Sequence, residues 1–198
     1  MSDAIAADGQ DSAPASSPLG RMLGLNEEEV GALGAIFAEA ARAMGIDGGP
    51  IFERLKAGQS LGRALGMPKG TGDLLYARAH RWFSVGRIDK AEPLFRALCI
   101  LDEGSANHWV GYGVCLRLRG SLNEADLAFQ TAAKLRADWA VPHFHALELA
   151  VHRGDWERAA QHLALYDERV TADTADAIKA EAARLRTAIE VHRGADRS

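Results

Sequence analysis

Apolar residues recur at helical spacing through most of the chain, with polar residues between them. From Val30 to Met44 they return every three or four positions, which places them on one face of a helix of about five turns. Asn26 can cap this helix, because Glu29 stands three residues later and can return a hydrogen bond. The same spacing from Thr174 onward predicts a last amphipathic helix. The pattern therefore predicts an all-helical chain.

A six-residue phrase recurs every 34 residues, as GRIDKA from Gly86, GSLNEA from Gly120 and GDWERA from Gly154. A helix can end just before each glycine, since glycine accepts the left-handed conformation common at helix ends. A 34-residue period is typical of tetratricopeptide repeats, helix-turn-helix pairs that stack into a curved scaffold. The predicted fold is an all-α tetratricopeptide-repeat solenoid with three helical hairpins, an N-terminal helical segment and a C-terminal capping helix.

Composition and the repeat period divide the chain into segments. The start is rich in Ala, Ser, Asp and Pro without a period, which predicts a disordered tail. Pro50 suits the first position of a short helix, and the glycine-rich stretch 58–72 is expected to be irregular apart from one turn. The predicted segments are a tail over 1–20, an N-terminal helical segment over 21–71, three repeats over 72–173 (72–105, 106–139 and 140–173) and a capping helix with its tail over 174–198.

Charge and composition narrow the function classes. The formal net charge is −4, and no basic stripe suggests nucleic acid or an anionic membrane. The start lacks the basic and apolar regions of a secretory signal, and no apolar run approaches the ~20 residues needed to cross a membrane. Cys99 and Cys115 fall on different predicted helices among apolar neighbours, which favours buried free thiols over a disulfide or a metal site. We therefore expect a cytoplasmic protein that neither binds nucleic acid nor inserts into a membrane.

The histidines do not predict a metal site. His143 and His145 are two residues apart and His152 is seven further on, whereas zinc-binding pairs on helices use a spacing of four. The sequence shows no Ser/His/Asp or Cys/His set, no phosphate-binding glycine loop and no cysteine pair at metal-binding spacing. We expect no metal, no cofactor and no enzymatic activity.

The first helix of each hairpin should line the inner, concave wall of the scaffold. Alignment on the turn glycines gives the inward positions, which share one helix face in each repeat. These positions are Asp73, Tyr76, His80 and Phe83 in the first repeat, Asn107, Val110, Val114 and Arg117 in the second, and Val141, Phe144, Glu148 and Val151 in the third. All but Asp73 and Val141 are predicted to contact a partner. The equivalent residues Tyr76, Val110 and Phe144 are interpreted as apolar anchors for a peptide, although core packing is the alternative.

Three stretches carry a more specific signature than the general repeat. They are DLLYARAHRWFSVGRIDKAEPLFRALCILD, GYGVCLRLRGSLNEADLAFQTAAKL and FHALELAVHRGDWERAAQHL. The LCILD ending, the GYGVC core and the FHA start resemble the tetratricopeptide chaperones of type III secretion translocators, known as class II secretion chaperones. The resemblance covers about Leu74 to Leu165.

The resemblance implies a bacterial cytoplasmic chaperone in a virulence-associated secretion system. Members of that family bind hydrophobic translocator proteins through an extended segment in the concave groove and keep them soluble and unassembled before export. Their groove residues map onto Tyr76, His80, Phe83, Val110, Val114 and Phe144. His80 departs from the larger aromatic residues usual there, and Pro142 stands one place earlier than the family pattern.

The resemblance also leaves the N-terminal helix with two interpretations. In the family this helix often mediates homodimers. The stripe of Leu33, Phe37, Ala40 and Met44 could form such a contact here, or it could pack within its own chain.

Other interaction classes fit the sequence less well. A repeat adaptor that binds C-terminal carboxylates needs Lys, Arg and Asn at inward positions, where this chain has Tyr76, Val110 and Phe144. A generic scaffold in another bacterial assembly is the main alternative function. A regulatory enzyme subunit has no supporting residue.

Overall fold

The computed structural model describes residues 17–195, which form two compact units, one ending at Met67 and one beginning at Pro68. The regular structure of this described range is helical, without strands, which confirms the all-α prediction. Residues 1–16 of the predicted tail lie outside the described residues. Its last part differs from the prediction, because Pro18 begins a helix that the Ser17 hydroxyl caps by accepting a hydrogen bond from the Gly20 N–H at 3.2 Å.

The first unit contains four helices. They are α1 (Pro18–Leu23), α2 (Glu27–Ala43), α3 (Gly48–Lys56) and α4 (Leu61–Ala64). Asn26 and Glu29 form the predicted capping box of α2, with hydrogen bonds of 2.9 Å and 2.8 Å. Helix α3 begins two residues before Pro50, because Asp47 caps it by accepting from the Gly49 N–H. Helix α4 confirms the single turn predicted in the glycine-rich stretch.

The core of the first unit forms where α3 crosses α2. Phe52 is buried there and lies directly over Gly34, and Val30 of α2 is buried beside Gly20 of α1. A Cβ atom at Gly34 would come within 2.6 Å of the Phe52 ring, so the glycine permits this close crossing. An ion pair of 3.0 Å between Lys56 and Glu27 links the two helices at the surface.

The second unit contains the three hairpins and a final helix. The helices are α5 (Thr71–Ser84), α6 (Ile88–Leu101), α7 (Ala106–Leu118), α8 (Leu122–Leu135), α9 (Ala140–His152), α10 (Trp156–Asp167) and α11 (Asp176–Ala195). Helices α5 and α6, α7 and α8, and α9 and α10 pack as pairs, and each pair contacts the next. Helix α11 packs on α9 and α10.

The three hairpin turns have the same geometry. Gly86, Gly120 and Gly154 have φ angles of 73°, 84° and 71°, in the left-handed region that favours glycine. In each turn the glycine N–H and the following N–H bond back to carbonyl groups of the last helical turn, as Gly86 does to Phe83 and Arg87 to Trp82, both at 2.9 Å. This arrangement satisfies carbonyls that the helix leaves free, and it explains why the glycine recurs with the repeat.

Three buried clusters form the core of the second unit. The cluster between α5, α6 and α7 includes Phe95, the next includes Phe129, and the last includes Phe144 and Leu163. Helix α11 contributes Ala182 and Ile189, each 2% exposed, to the last cluster. The final helix therefore covers the apolar face that the third hairpin would otherwise expose.

Candidate functional site

The first helices of the three repeats line a groove with a volume of about 360 Å³. Its lining residues are Tyr76, His80, Phe83, Phe95, Asn107, Val110, Gly111, Val114, Trp139, Val141, His145 and Ile178. The lining is mostly apolar, and its polar groups belong to Asn107, the two histidines, the Tyr76 hydroxyl and the Trp139 indole N–H. Such a surface suits an apolar segment that also carries a few hydrogen-bonding groups.

Six predicted site residues lie in this lining: Tyr76, His80, Phe83, Asn107, Val110 and Val114. They come from α5 and α7, so alignment on the turn glycines located the inward face of both helices. Val110 is half-buried, and Val114 is nearly buried because it also packs in the core around Phe129. On α7, therefore, Val114 is anchored in the core and Val110 offers partly accessible apolar surface to the groove.

An aromatic cluster fixes the α5 end of the groove. The Tyr76 ring meets the buried Phe95 edge-on at 5.8 Å, and it lies 5.8 Å from the His108 ring. On the same helix, His80 stacks on Tyr76 with ring centroids 6.4 Å apart. Because these contacts already restrict the Tyr76 ring, Tyr76 would lose little side-chain entropy when a ligand covers it.

The third repeat presents a different residue from the one predicted. Phe144 is 4% exposed, packs against the rings of His145 and Tyr166, and does not line the groove. The next residue, His145, lines it instead. The interpretation of Phe144 as a peptide anchor therefore does not fit its burial. Val151 is half-buried and packs on the same core cluster, so it also belongs to the interior of the last repeat.

The remaining predicted residues, Arg117 and Glu148, form a charged pair beside the groove. Arg117 Nη2 lies 3.2 Å from Glu148 Oε2, which also accepts a hydrogen bond of 2.7 Å from His145 Nδ1. Both charged side chains are largely buried, so their mutual pairing limits the cost of desolvation. The hydrogen bond between Glu148 and His145 connects this charged pair to the groove lining.

Residues outside the aligned positions complete the lining. Trp139 precedes α9, and Ile178 comes from the first turns of α11. The sequence showed Ile178 only as part of an amphipathic stripe, which does not tell how the last helix lies over the groove. Gly111 also lines the groove, because the ring of Phe95 packs directly against it. The phrase GYGVC contained this signal, since two glycines inside a helix indicate close packing.

The other histidines and the cysteines lie away from this lining. The rings of His143 and His162 are 6.3 Å apart, and burial, followed by the charge of Arg169, lowers the pKa of His143 to about 4. Cys99 and Cys115 are buried free thiols, as predicted, and burial raises the pKa of each to about 12. Within residues 17–195, no three His, Cys, Asp or Glu side chains form a group that could hold a metal ion.

The predicted dimerisation stripe on α2 divides between two faces. Phe37 contacts Phe52 at a centroid distance of 5.8 Å, and Leu33 is half-buried. Ala40 and Met44 are exposed, as is Ile36, so the open apolar stripe runs along Ile36, Ala40 and Met44. Phe37 therefore stabilises the first unit itself.

Within residues 17–195, no helix combines the length and the apolar character needed to cross a bilayer.

Comparison with known proteins identifies related chains, although no family model matches. Over 119 residues the chain is 28% identical to the chaperone protein SicA of Salmonella typhimurium, which covers 60% of this chain and 72% of SicA. The structure of PcrH from Pseudomonas aeruginosa with the chaperone-binding region of PopD superposes with a TM-score of 0.60. It is 26% identical and covers 65% of this chain and 97% of PcrH.

A third comparison supports the fold. The Yersinia enterocolitica type III secretion chaperone SycD, with a peptide of the translocator YopD, gives a TM-score of 0.60 at 23% identity. It covers 64% of this chain and 98% of SycD. These comparisons confirm that the chain resembles, in sequence and in fold, the class II chaperones of type III secretion translocators.

Proposed function

We propose that this protein is a chaperone for hydrophobic translocator proteins of a type III secretion system. The observation that carries the proposal is the mostly apolar groove on α5, α7 and α9, in a fold that in PcrH holds the chaperone-binding region of PopD. An extended client segment would place its apolar side chains against Tyr76, Phe83 and Val110. This contact keeps the client soluble and unassembled before export.

The groove supports binding that can be reversed. Burying three apolar client side chains contributes about 5–9 kcal/mol in gross terms. Ordering an extended segment offsets several kcal/mol of that gain, which leaves an affinity on the order of micromolar. At that affinity, mass action lowers the concentration of free client, and the export apparatus can still remove it.

We further propose that the protein acts in the bacterial cytoplasm, by binding alone and without a cofactor. The resemblance to secretion chaperones supports this place and this mode of action. A client that must later enter a membrane exposes apolar surface in water, and a partner that covers this surface prevents aggregation.

Co-expression with the translocators encoded in the same genome tests the proposal. The tagged wild-type chain is compared with a Tyr76→Ala/Val110→Ala variant, which truncates two side chains in the groove. A Leu127→Ala variant is the matched control, because Leu127 is 63% exposed and lies outside the groove lining. Circular dichroism establishes that each variant remains helical.

We expect the wild type and the Leu127→Ala control to retain soluble translocator. The double variant should lose at least tenfold in affinity, which corresponds to about 1.4 kcal/mol. If the wild type retains no translocator, the chaperone proposal is wrong. If the folded double variant binds as well as the wild type, the binding site lies elsewhere on the molecule.

A further inference from the structure

The His145 ring is held on three sides. Its face stacks on Phe129 at 5.4 Å with an interplanar angle of 22°, and Phe144 meets it at 5.0 Å and 61°. Its Nδ1 atom lies 2.7 Å from Glu148 Oε2. The side chain is 16% exposed, and that remaining surface lines the groove. Few orientations are therefore open to the ring, so its polar atoms have fixed positions.

Glu148 determines which ring nitrogen carries the proton. Its carboxylate is paired with Arg117 at 3.2 Å and accepts the hydrogen bond from His145, so Nδ1 is the donor. In the neutral ring, Nε2 is then a hydrogen-bond acceptor. Nε2 is hydrogen-bonded to none of the described residues. Because it is also not among the buried polar atoms of the described range that lack a partner, it must be accessible to solvent.

A segment that fills the groove must replace that solvent. If it covers Nε2 with apolar groups alone, an acceptor is desolvated without a partner, which is unfavourable. An extended peptide has a donor available, because every second backbone N–H along it points to the same side. The groove lining has donors of its own, Asn107 among them, but none of the described side chains is hydrogen-bonded to Nε2, so the bound segment is left to supply the donor.

We propose that His145 is a specificity-determining residue of the groove, which accepts a hydrogen bond at Nε2 from a backbone N–H of the bound segment. This inference rests on the proposed function and adds a polar requirement to it. The groove would then distinguish clients by whether a backbone N–H lies opposite His145, as well as by their apolar side chains. A segment with proline at the paired position would be rejected, since proline has no N–H.

Synthetic peptides that tile the translocators from the same genome provide the probe. Fluorescence anisotropy first identifies the tile that the wild-type chain binds most tightly. Each residue of that tile is then N-methylated in turn, which removes one N–H at a time. All peptides are measured against the wild type, His145→Phe, His145→Gln and a His152→Phe control, since His152 is exposed at the end of the same helix.

We expect one N-methylation to weaken wild-type binding by roughly three- to tenfold, the effect of one hydrogen bond. The same N-methylation should leave binding to His145→Phe unchanged, because phenylalanine keeps the aromatic contacts without an acceptor. His145→Gln, whose amide oxygen can reach the position of Nε2, should keep part of the effect. His152→Phe should behave as the wild type. An N-methylation that weakens binding to the wild type but not to His145→Phe identifies the backbone N–H that pairs with His145.

Four outcomes would overturn the inference. If no N-methylation weakens binding to the wild type, His145 does not pair with the peptide backbone. The same conclusion follows if each N-methylation lowers the affinity equally for the wild type and for His145→Phe. If no tile binds the wild type, the proposed function fails and this inference fails with it. Nitrogen-15 NMR of the wild-type imidazoles gives a test that does not depend on a variant. A proton on Nε2 rather than Nδ1 in the peptide complex would contradict the proposed acceptor.

Discussion

Aromatic rings lie directly on helical glycines at three places in the fold. The Phe52 ring packs on Gly34, the Phe95 ring on Gly111 and the Phe129 ring on Gly113. Each glycine belongs to one helix and each ring to a neighbour in the chain, so the pair sets how closely the two helices approach. Glycine weakens a helix interior by about 1 kcal/mol, and here the close packing offsets that cost.

We predict that Gly113→Ala destabilises the second unit by about 1–3 kcal/mol, because the new methyl group meets the Phe129 ring. The distance to the nearest ring atom would be 2.6 Å, and Phe129 is 1% exposed, so the ring has little room to move. Urea denaturation followed by circular dichroism measures the change. Gly72→Ala is the control, since that position is exposed with open space around it. A Gly113→Ala variant as stable as the control would show that the ring can shift.

His143 and His162 make the stability of the third repeat depend on pH. The pKa of His143 falls from its ordinary 6.5 to about 4, mainly through burial, then through the charges of Arg169 and His162. Burial also lowers the pKa of His162. At a pH between the lowered and the ordinary pKa of His143, the unfolded chain binds more protons than the folded chain. Stability from the neutral rings is therefore complete above pH 6.5 and is lost as the pH falls toward 4.

We predict that His143→Gln flattens this dependence. The difference in unfolding free energy between pH 7 and pH 4.5 should shrink by up to about 3 kcal/mol relative to the wild type. Urea titrations at half-unit pH steps measure it. His152→Gln changes an exposed histidine on the same helix and should leave the wild-type slope intact. An unchanged slope in His143→Gln would mean that other groups carry the acid sensitivity.

At the level of helices, sequence alignment located the groove face of α5 and α7, whereas one of the four positions that it gave on α9, Val141, lines the groove. The 34-residue period places Tyr76, Val110 and Phe144 in equivalent positions. In the third repeat that position is covered, because α11 packs on α9 and the core cluster around Phe144 includes residues of α11. Repeat alignment assumes that each hairpin has the same neighbours, and the last hairpin does not. Phe144 is therefore buried in a cluster formed with α10 and α11, and His145 faces the groove instead.

Helix α11 has two roles that single substitutions should separate. Ile189 is 2% exposed in the last core cluster, whereas Ile178 is partly buried against that cluster and also lines the groove. We predict that Ile189→Ala lowers the unfolding free energy by about 2–4 kcal/mol. Its affinity for client peptide, measured under folding conditions, should stay close to that of the wild type.

Ile178→Ala should show the opposite pattern. Its stability should change less than that of Ile189→Ala, and its peptide affinity should fall by roughly three- to tenfold through lost apolar contact. Urea denaturation and fluorescence anisotropy on the same samples provide both values. Equal losses of affinity in the two variants would indicate that α11 affects the groove only through the stability of the last repeat.

Across the whole molecule, the features that follow from local chemistry were predictable. The turn glycines, the α2 capping box and the amphipathic period each depend on residues within a few positions of one another. The helix from Pro18 was missed although Ser17 and Pro18 are suitable cap and first residues, because the composition around them indicated a tail. The packing partners of Phe37 and Phe144 depend on how helices cross, which a single sequence does not specify.

The exposed apolar stripe of α2 provides a test of self-association for the whole protein. Ile36 and Met44 are 66% and 71% exposed, and with Ala40 they lie four residues apart on one helix face. A two-fold dimer would bury this stripe against its own copy. We predict that Met44→Glu converts such a dimer to a monomer, because a desolvated carboxylate would face apolar side chains.

Sedimentation equilibrium over a hundredfold range of concentration measures the change in mass. Arg42→Glu alters the charge of another face of α2 and should leave the dimer intact. Phe37→Glu would be a poor test, since Phe37 contacts Phe52 and its loss would disrupt the first unit. If the wild type is a monomer throughout, the stripe is not a dimer contact. If Met44→Glu stays dimeric, the protein associates through a different surface, because a buried glutamate at the centre of an apolar contact is too costly to tolerate.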